Sequence, residues 1–312
     1  MTHAPNLTRR AALTGAAALP LAAGLPQPLL AAAHGGGTEQ PIARTFTLGA
    51  MTVTALLDGS AMRDNPKGLF AKSATDTEFA TLSAENFVPA DRAQFYFTPV
   101  LVDTGSGLVL FDTGLGKGGI QKALAAAGVT PDAIDVVVIT HMHPDHIGGL
   151  MKDGAPTFAN ARYVTGAVEY NFWSGLEAGN QVGDMVAKLV TPLAEKMSFI
   201  DDGADVAPGV TSIASFGHTP GHMCFRLDSD GQQLVLTADL ANHYVWSFAR
   251  PDWAFAFDSD PVAASTARRR ILGMLTADKI PMIGHHMPFP AAGYVEPRGD
   301  GFRFVPVSYQ LG

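Results

Sequence analysis

Thr140-His141-Met142-His143-Pro144-Asp145-His146 follows directly on Val136-Val137-Val138-Ile139, and this stretch decides how the chain is read. Four consecutive branched apolar residues predict a buried strand. At strand period His141 and His143 project to the same side, and Pro144 then turns the chain so that Asp145 and His146 face a second point nearby. Imidazole and carboxylate are donors that zinc accepts. Three histidines and an aspartate within six residues therefore offer ligands for two adjacent metal ions, a density that an incidental histidine-rich loop does not explain.

The same residue types recur at the ends of other predicted strands. Gly217-His218-Thr219-Pro220-Gly221-His222 follows an alternating run over residues 210–215 and sets a histidine at a tight Gly/Pro turn. Thr237-Ala238-Asp239 closes the apolar run Leu234-Val235-Leu236, and Ile283-Gly284-His285-His286-Met287-Pro288 follows Ile280-Pro281-Met282. Each candidate ligand sits where a loop leaves a strand, the usual place for a site built on a rigid scaffold.

In this order, HxHxDH, GHTPGH, an aspartate after an apolar strand and a late histidine, the sequence resembles the metallo-β-lactamase-fold hydrolases over essentially the whole chain beyond its N-terminal segment. Asp112-Thr113-Gly114 matches the DTG that these proteins carry after an early strand. His286-Met287-Pro288-Phe289-Pro290 and Gly301-Phe302-Arg303-Phe304-Val305-Pro306-Val307 are similar to the methyl parathion hydrolase branch, which includes exported organophosphate hydrolases and related lactonase-like enzymes. Periodicity alone gives a mixed α/β chain; the resemblance implies an αββα sandwich.

The resemblance also implies a ligand set. His141, His143 and His218 hold one divalent ion, Asp145, His146 and His286 hold a second, and Asp239 bridges them, with zinc the expected ion at both. A hydroxide bridging the ions attacks a carbonyl or phosphoryl centre while one ion polarises the oxygen that gains charge, and Asp145 and Asp239 are the catalytic carboxylates. The expected function is hydrolysis of an uncharged lactone, carboxylester or aryl phosphotriester. The alternatives are a β-lactam or thioester hydrolase on the same site, or a noncatalytic or redox metal-binding module. Thiolate-using β-lactamases of the superfamily place a cysteine where Asp239 stands, and diiron redox members replace a ligand histidine with glutamate and attach a flavin domain. Acyl-homoserine lactonases often carry a tyrosine three residues after the bridging aspartate, where this chain has Asn242.

Several neighbours enter as candidates of lesser role. His222 is expected beside the ligands, and His285 competes with His286, which the HxPFP pattern favours. Asp112 is expected to orient a ligand histidine or a loop amide. His243 and Tyr244 either face substrate or pack. Phe95, Tyr96, Phe97, Phe172, Trp173 and Trp246 are candidates for a substrate pocket, with core packing the competing reading for each. Cys224 reads as a small core residue.

The 312 residues, 47% of them hydrophobic, suffice for one large domain, expected over residues 46–312. The formal charge is −8, and −10 without Arg9 and Arg10 of residues 1–33, which argues against nucleic-acid or anionic-membrane partners. A single cysteine excludes an intrachain disulfide. Thr8-Arg9-Arg10-Ala11-Ala12-Leu13, the Ala/Leu-rich run after it and Ala31-Ala32-Ala33 resemble a twin-arginine export signal over residues 1–33. The twin-arginine export machinery is then a partner, and the expected location is periplasmic or secreted. Pro20, Pro26 and Pro28 interrupt the run, so no stable membrane anchor is expected. Residues 34–45 are expected to be a flexible lead-in, which leaves His3 and His34 outside the fold. A homodimer is compatible with the sequence.

Coarse organisation follows from pattern. Residues 46–57 predict a hairpin, and residues 59–89 read as irregular and polar, either a lid over the site or a surface excursion pinned by Phe70, Phe79 and Phe87. Residues 95–102 and 107–111 predict a strand pair. Helices are expected over 119–127, over 167–196 with a break at Gly179-Asn180, and from Pro261 to about residue 275 with Asp260 as N-cap. Residues 210–236 predict three strands, and residues 280–283 and 302–307 one each.

Overall fold

The computed structural model describes residues 41–307. The export signal expected at 1–33, with His3 and His34 and the lead-in as far as residue 40, lies outside the described residues. The first strand, Ala43–Leu48, already takes in residues 43–45.

Two seven-stranded sheets carry the fold. In the first, the strands run Ala43–Leu48, Met51–Leu56, Val100–Asp103, Leu108–Phe111, Val136–Ile139, Arg162–Gly166 and Met197–Ile200 across the sheet. In the second they run Asp205–Ala207, Val210–Ala214, Met223–Ser229, Gln232–Ala238, Met282–Gly284, Ala292–Arg298 and Gly301–Pro306. The first sheet is antiparallel as far as Leu108–Phe111 and parallel from there through Val136–Ile139, Arg162–Gly166 and Met197–Ile200. The second is antiparallel except where Gln232–Ala238 pairs with Met282–Gly284.

The buried strand Val136–Ile139 shows why this order makes a layered sandwich. Val136 and Val138 join Val53, Val102, Phe111, Phe225, Leu234 and Ile283 in the core between the sheets. Val137 and Ile139 face the other way, against Ile120, Leu124, Trp173 and Val186 of the outer helices. Both faces are covered, so the strand reads as a continuous apolar run rather than an alternating one. Helix Pro261–Asp278 contributes Ala267, Ile271, Leu272 and Leu275 to the core, and Asp260 caps it by accepting from the amides of Val262 and Ala263. This is the αββα architecture of the metallo-β-lactamase fold. Among the described residues, no helix is long and apolar enough to cross a membrane.

The segment after residue 58 differs from its reading as irregular. It contains strand Gly59–Asp64 and helices Pro66–Phe70 and Asp76–Glu85, the second closed by a capping box between Thr75 and Glu78. Phe70 and Phe79 pack with Phe95, Phe97, Trp246 and Phe255 in a separate aromatic cluster, whereas Phe87 is 97% exposed and pins nothing. The strand expected over 95–102 is two strands, because Pro99 cannot donate to a ladder: Arg92–Phe97 pairs with Gly59–Asp64, and Val100–Asp103 joins the first sheet. Strand Ala292–Arg298 has no counterpart in the sequence reading.

Candidate metal centre

The seven residues expected as ligands converge where Val136–Ile139, Gln232–Ala238 and Met282–Gly284, each paired in parallel with a neighbour, end, together with the turn after the antiparallel strand Val210–Ala214 that carries His218. His141 Nε2 and His218 Nε2 lie 3.2 and 3.0 Å from His143 Nδ1. His286 Nε2 lies 3.4 Å and His146 Nε2 3.7 Å from Asp145. Asp239 stands between the groups: its Oδ2 is 3.3 Å from His218 Nε2 and 3.0 Å from His286 Nε2, and its Oδ1 is 3.1 Å from His146 Nε2. The strand ends are bent to allow this. Ala238, just before Asp239, has φ +44°, and Asp112 has φ +62°, both in the left-handed region that non-glycine residues occupy at a cost.

The far nitrogens of the rings are held from behind. Thr140 Oγ1 donates to Asp112 and accepts from His141 Nδ1 at 3.1 Å. His146 Nδ1 donates to Asp112 Oδ2 at 2.7 Å, His218 Nδ1 to Asp258 Oδ1 at 2.9 Å, and His286 Nδ1 to the carbonyl of Tyr96 at 2.8 Å. These bonds orient the rings with Nε2 turned inward, the arrangement that ligating histidines adopt. Asp112 thus makes both contacts expected of it, to the candidate ligand His146 and to a loop amide, that of Thr140 at 2.9 Å. His222 stands beside the ligands, accepting from the Asp239 amide at 3.1 Å while its Nδ1 meets Ser215 Oγ. Asn242 donates Nδ2–H to Asp239 Oδ2 at 3.0 Å. His285 packs its ring 4.0 Å from that of His146.

Charge and burial act in opposite directions here. Burial, reinforced by the neighbouring His146 charge, pushes His141 well below the usual histidine range, and burial with the His218 charge does the same to His143. Burial also lowers His222, to about 3. At His218 the penalty of burial is outweighed by hydrogen bonds and charge from Asp239 and Asp258, which push it up to about 9. At His146 it is outweighed by Asp239, Asp112 and Asp145. Burial would raise Asp239, but His286 and His146 hold it well below the usual carboxylate range.

The donor set fits divalent cations. His141, His143, His218 and Asp239 form one group of converging ligand atoms and Asp145, His146 and His286 another, each within 4.8 Å. His146 Nε2 and Asp239 Oδ1 are buried without a hydrogen-bond partner although they face each other at 3.1 Å. Buried polar atoms left in this state are costly unless something else satisfies them, and a cation common to both does so.

Aromatic side chains frame the centre unevenly. Trp173 lies 6.2 Å and Phe257 6.5 Å from His143 between ring centroids, and Phe172 packs on Trp173. Phe172 and Phe257 remain 40% and 61% exposed, so they form an apolar rim at the His143 end. Phe95 and Phe97 lie against His286. Trp246 is not at the centre: it is buried among Phe70, Phe79 and His243, with its indole N–H donated to Ser83. The side chains of Tyr96, His243 and Tyr244 line a separate cavity with Trp246 and Pro288. His243 also packs structurally, accepting from the amides of Val245 and Trp246. Cys224 is a core residue.

Three polar residues of the centre went unnoticed in the sequence. Glu169, fully buried, accepts from the amides of Met142 and Gly221 and from the Trp173 indole. Asp258 backs His218, and Arg268 in turn backs Asp258. The turn glycines reflect the same packing. A Cβ on Gly221 would lie 2.2 Å from the Glu169 nitrogen, and one on Gly217, at φ +126°, 2.1 Å from the Ala264 nitrogen.

The family model of the metallo-beta-lactamase superfamily matches residues 98–285, more than half of the chain, and the chain belongs to that superfamily. An N-acyl homoserine lactonase of Bacillus cereus is 26% identical over 203 residues, 60% of this chain and 76% of its own length. For another, from Bacillus sp, the identity is 26% over 166 residues, and the chain spans only 61% of its length. The solved structure of AidC, a dizinc quorum-quenching lactonase in complex with a product, is 26% identical, with a TM-score of 0.78 over 87% of this chain and 100% of that one. None of these three is a methyl parathion hydrolase.

Proposed function

We propose that the protein is a binuclear metal-dependent hydrolase, with zinc as its ion, that opens an uncharged lactone or carboxylester bearing an apolar group. The observation that carries this reading is the placement of Asp239, whose two oxygens face both ligand groups at once. Two divalent ions held by these groups supply Lewis acidity and make water nucleophilic at neutral pH. The chain's own contribution is positional. Asp112, Asp258 and the Tyr96 carbonyl aim three imidazoles, and Asn242, three residues after Asp239 where the resemblance places a tyrosine in many acyl-homoserine lactonases, donates to Asp239. The rim of Phe172, Trp173 and Phe257 offers apolar contact to a substrate chain or ring at the His143 end. The lactonase identity of the relatives named above supports the lactone reading. Export through the twin-arginine route belongs to the same proposal and rests on Thr8-Arg9-Arg10 and the run that follows.

The test is proton release by the zinc-loaded protein on an acyl-homoserine lactone, an aryl ester, methyl parathion and a β-lactam. Dominant turnover of the lactone or ester is the expected result. Dominant turnover of methyl parathion would move the assignment to phosphotriesters, and dominant β-lactam turnover would overturn it.

A further inference from the structure

Arg268 is a fully buried arginine in a helix whose neighbouring arginines, 269 and 270, are exposed. Removing a guanidinium from water is costly unless every part of it is paired, and here each part has a use. Its Nε donates to the carbonyl of Leu240 at 2.7 Å, next in sequence to Asp239. One terminal nitrogen donates to the carbonyl of Pro251 at 2.7 Å, and the other lies 3.4 Å from Asp258 Oδ2. The opposite oxygen of Asp258, also buried, accepts from His218 Nδ1. The amides of Ser259 and Asp260 donate to the carbonyls of His218 and Gly217, both at 2.9 Å, so the loop grips His218 by backbone as well as by side chain. From one helix position, Arg268 therefore holds the partner of His218 and the residue following Asp239. No such contact reaches His146 or His286, which are backed by Asp112 and the Tyr96 carbonyl.

We propose that Arg268 and Asp258 are positioning residues chiefly for one half of the centre: through His218 they set the affinity of the ion held by His141, His143 and His218 far more than that of the other ion. This rests on the binuclear reading above. The physical reason is twofold. Arg268 fixes the buried Asp258 carboxylate through Oδ2, and Asp258 through Oδ1 locks the His218 ring with its Nε2 toward the centre.

The experiment is a chelator-competition titration with Zn2+ on the full chain, for the wild type, Asp258→Asn, Arg268→Met and Arg268→Lys. Thermal unfolding of each metal-free protein is measured alongside. In Asp258→Asn, one of the two ions is expected to bind roughly 10–100-fold more weakly, the other to change by less than about threefold, and the metal-free protein to unfold near the wild-type temperature. Arg268→Met, which also releases the Leu240 carbonyl beside Asp239, is expected to weaken the same ion most and the other to a smaller degree. Arg268→Lys, which keeps the charge, is expected to recover most of the loss. Asp258→Asn keeps the shape and a hydrogen-bond acceptor, so it decides the question even if Arg268→Met does not fold. Two ions at unchanged affinity in Asp258→Asn would overturn the relay alone. Equal weakening of both ions together with a lower metal-free unfolding temperature would also overturn it, in favour of a general role in the fold. A wild type that binds no ion would remove the binuclear reading itself.

Discussion

Glu169 Oε1 accepts the amide N–H of Met142 at 2.8 Å, so a buried carboxylate 27 residues further along the chain fixes the one residue between His141 and His143. Its other oxygen accepts from Gly221, in the turn that follows His218. One side chain thus sets the spacing between two loops that must converge on the same point, and the Trp173 indole bonded to it places part of the aromatic rim by the same contact. Helix Ala167–Ser174 supplies Glu169 in its first turn, where a negative charge is favourable.

Glu169→Ala leaves the N–H groups of Met142, Gly221 and Trp173 buried and unpaired. At ~1–3 kcal/mol for each orphaned donor, partly relieved by water entering the space, we expect a loss of about 3–5 kcal/mol in denaturant unfolding and a protein that retains less metal through gel filtration. Glu169→Gln keeps one acceptor oxygen and should lose about half as much. An alanine variant as stable as the wild type would show that these loops are held by something else.

The positions of the ligands were legible because they obey local rules: a buried strand, a proline turn, an aspartate after an apolar run. The residues behind them were not, because nothing local marks them. Glu169 looks like a helix-start acid, and Asp258 is overshadowed by the stronger capping signal of Asp260-Pro261. Arg268 was hidden in a run of three arginines, which ordinarily means a solvated face. Its spacing did carry a clue: it lies four residues after Ala264 and four before Leu272, on the stripe that is buried in the helix. The excursion after residue 58 was misread for a different reason. Its helices are short and its capping box lacks a periodic apolar run behind it, so their order comes from the aromatic cluster they join rather than from their own pattern.

Asp239→Ala should bind fewer than two ions per chain by elemental analysis and lose essentially all hydrolytic activity, because the Asp239 carboxylate faces both ligand groups. His286→Ala removes a ligand candidate of the Asp145 and His146 group and a contact to Asp239 but leaves His141, His143 and His218 in place, and should keep one ion. Full activity in the Asp239 variant would show that the bridge is misassigned.

The rim makes a prediction about specificity rather than chemistry. Phe257 is largely exposed, so Phe257→Ala should change stability by less than about 1 kcal/mol. If the rim contacts the apolar part of the substrate, the variant raises KM for long-chain lactones by roughly tenfold, the worth of ~1.4 kcal/mol of lost apolar contact, and leaves a short-chain lactone nearly unchanged. An equal effect on both chain lengths would place the apolar group elsewhere.

Cys224 gives a pH test on a residue outside the ligand set. Burial pushes its thiol up to about 12, and its sulfur is 3.2 Å from Ser215 Oγ. The folded chain should therefore resist alkylation at pH 8, with labelling limited by global unfolding, since the thiolate is the reactive form. The linkage to stability has a definite sign. Once unfolded, the thiol ionises above its ordinary value of ~8.5, whereas in the fold it keeps its proton, so the native state binds more protons at alkaline pH and loses stability as pH rises. Above about pH 9 the wild type should lose ~1.4 kcal/mol per pH unit from this group alone, and Cys224→Ala should not. The stability difference between the two proteins, measured by urea unfolding at pH 7, 9 and 10, should therefore shift in favour of the alanine variant as pH rises. A constant difference, or rapid alkylation of the native chain at pH 8, would mean that the space between Ser215 and Thr237 admits water and the thiol ionises in place.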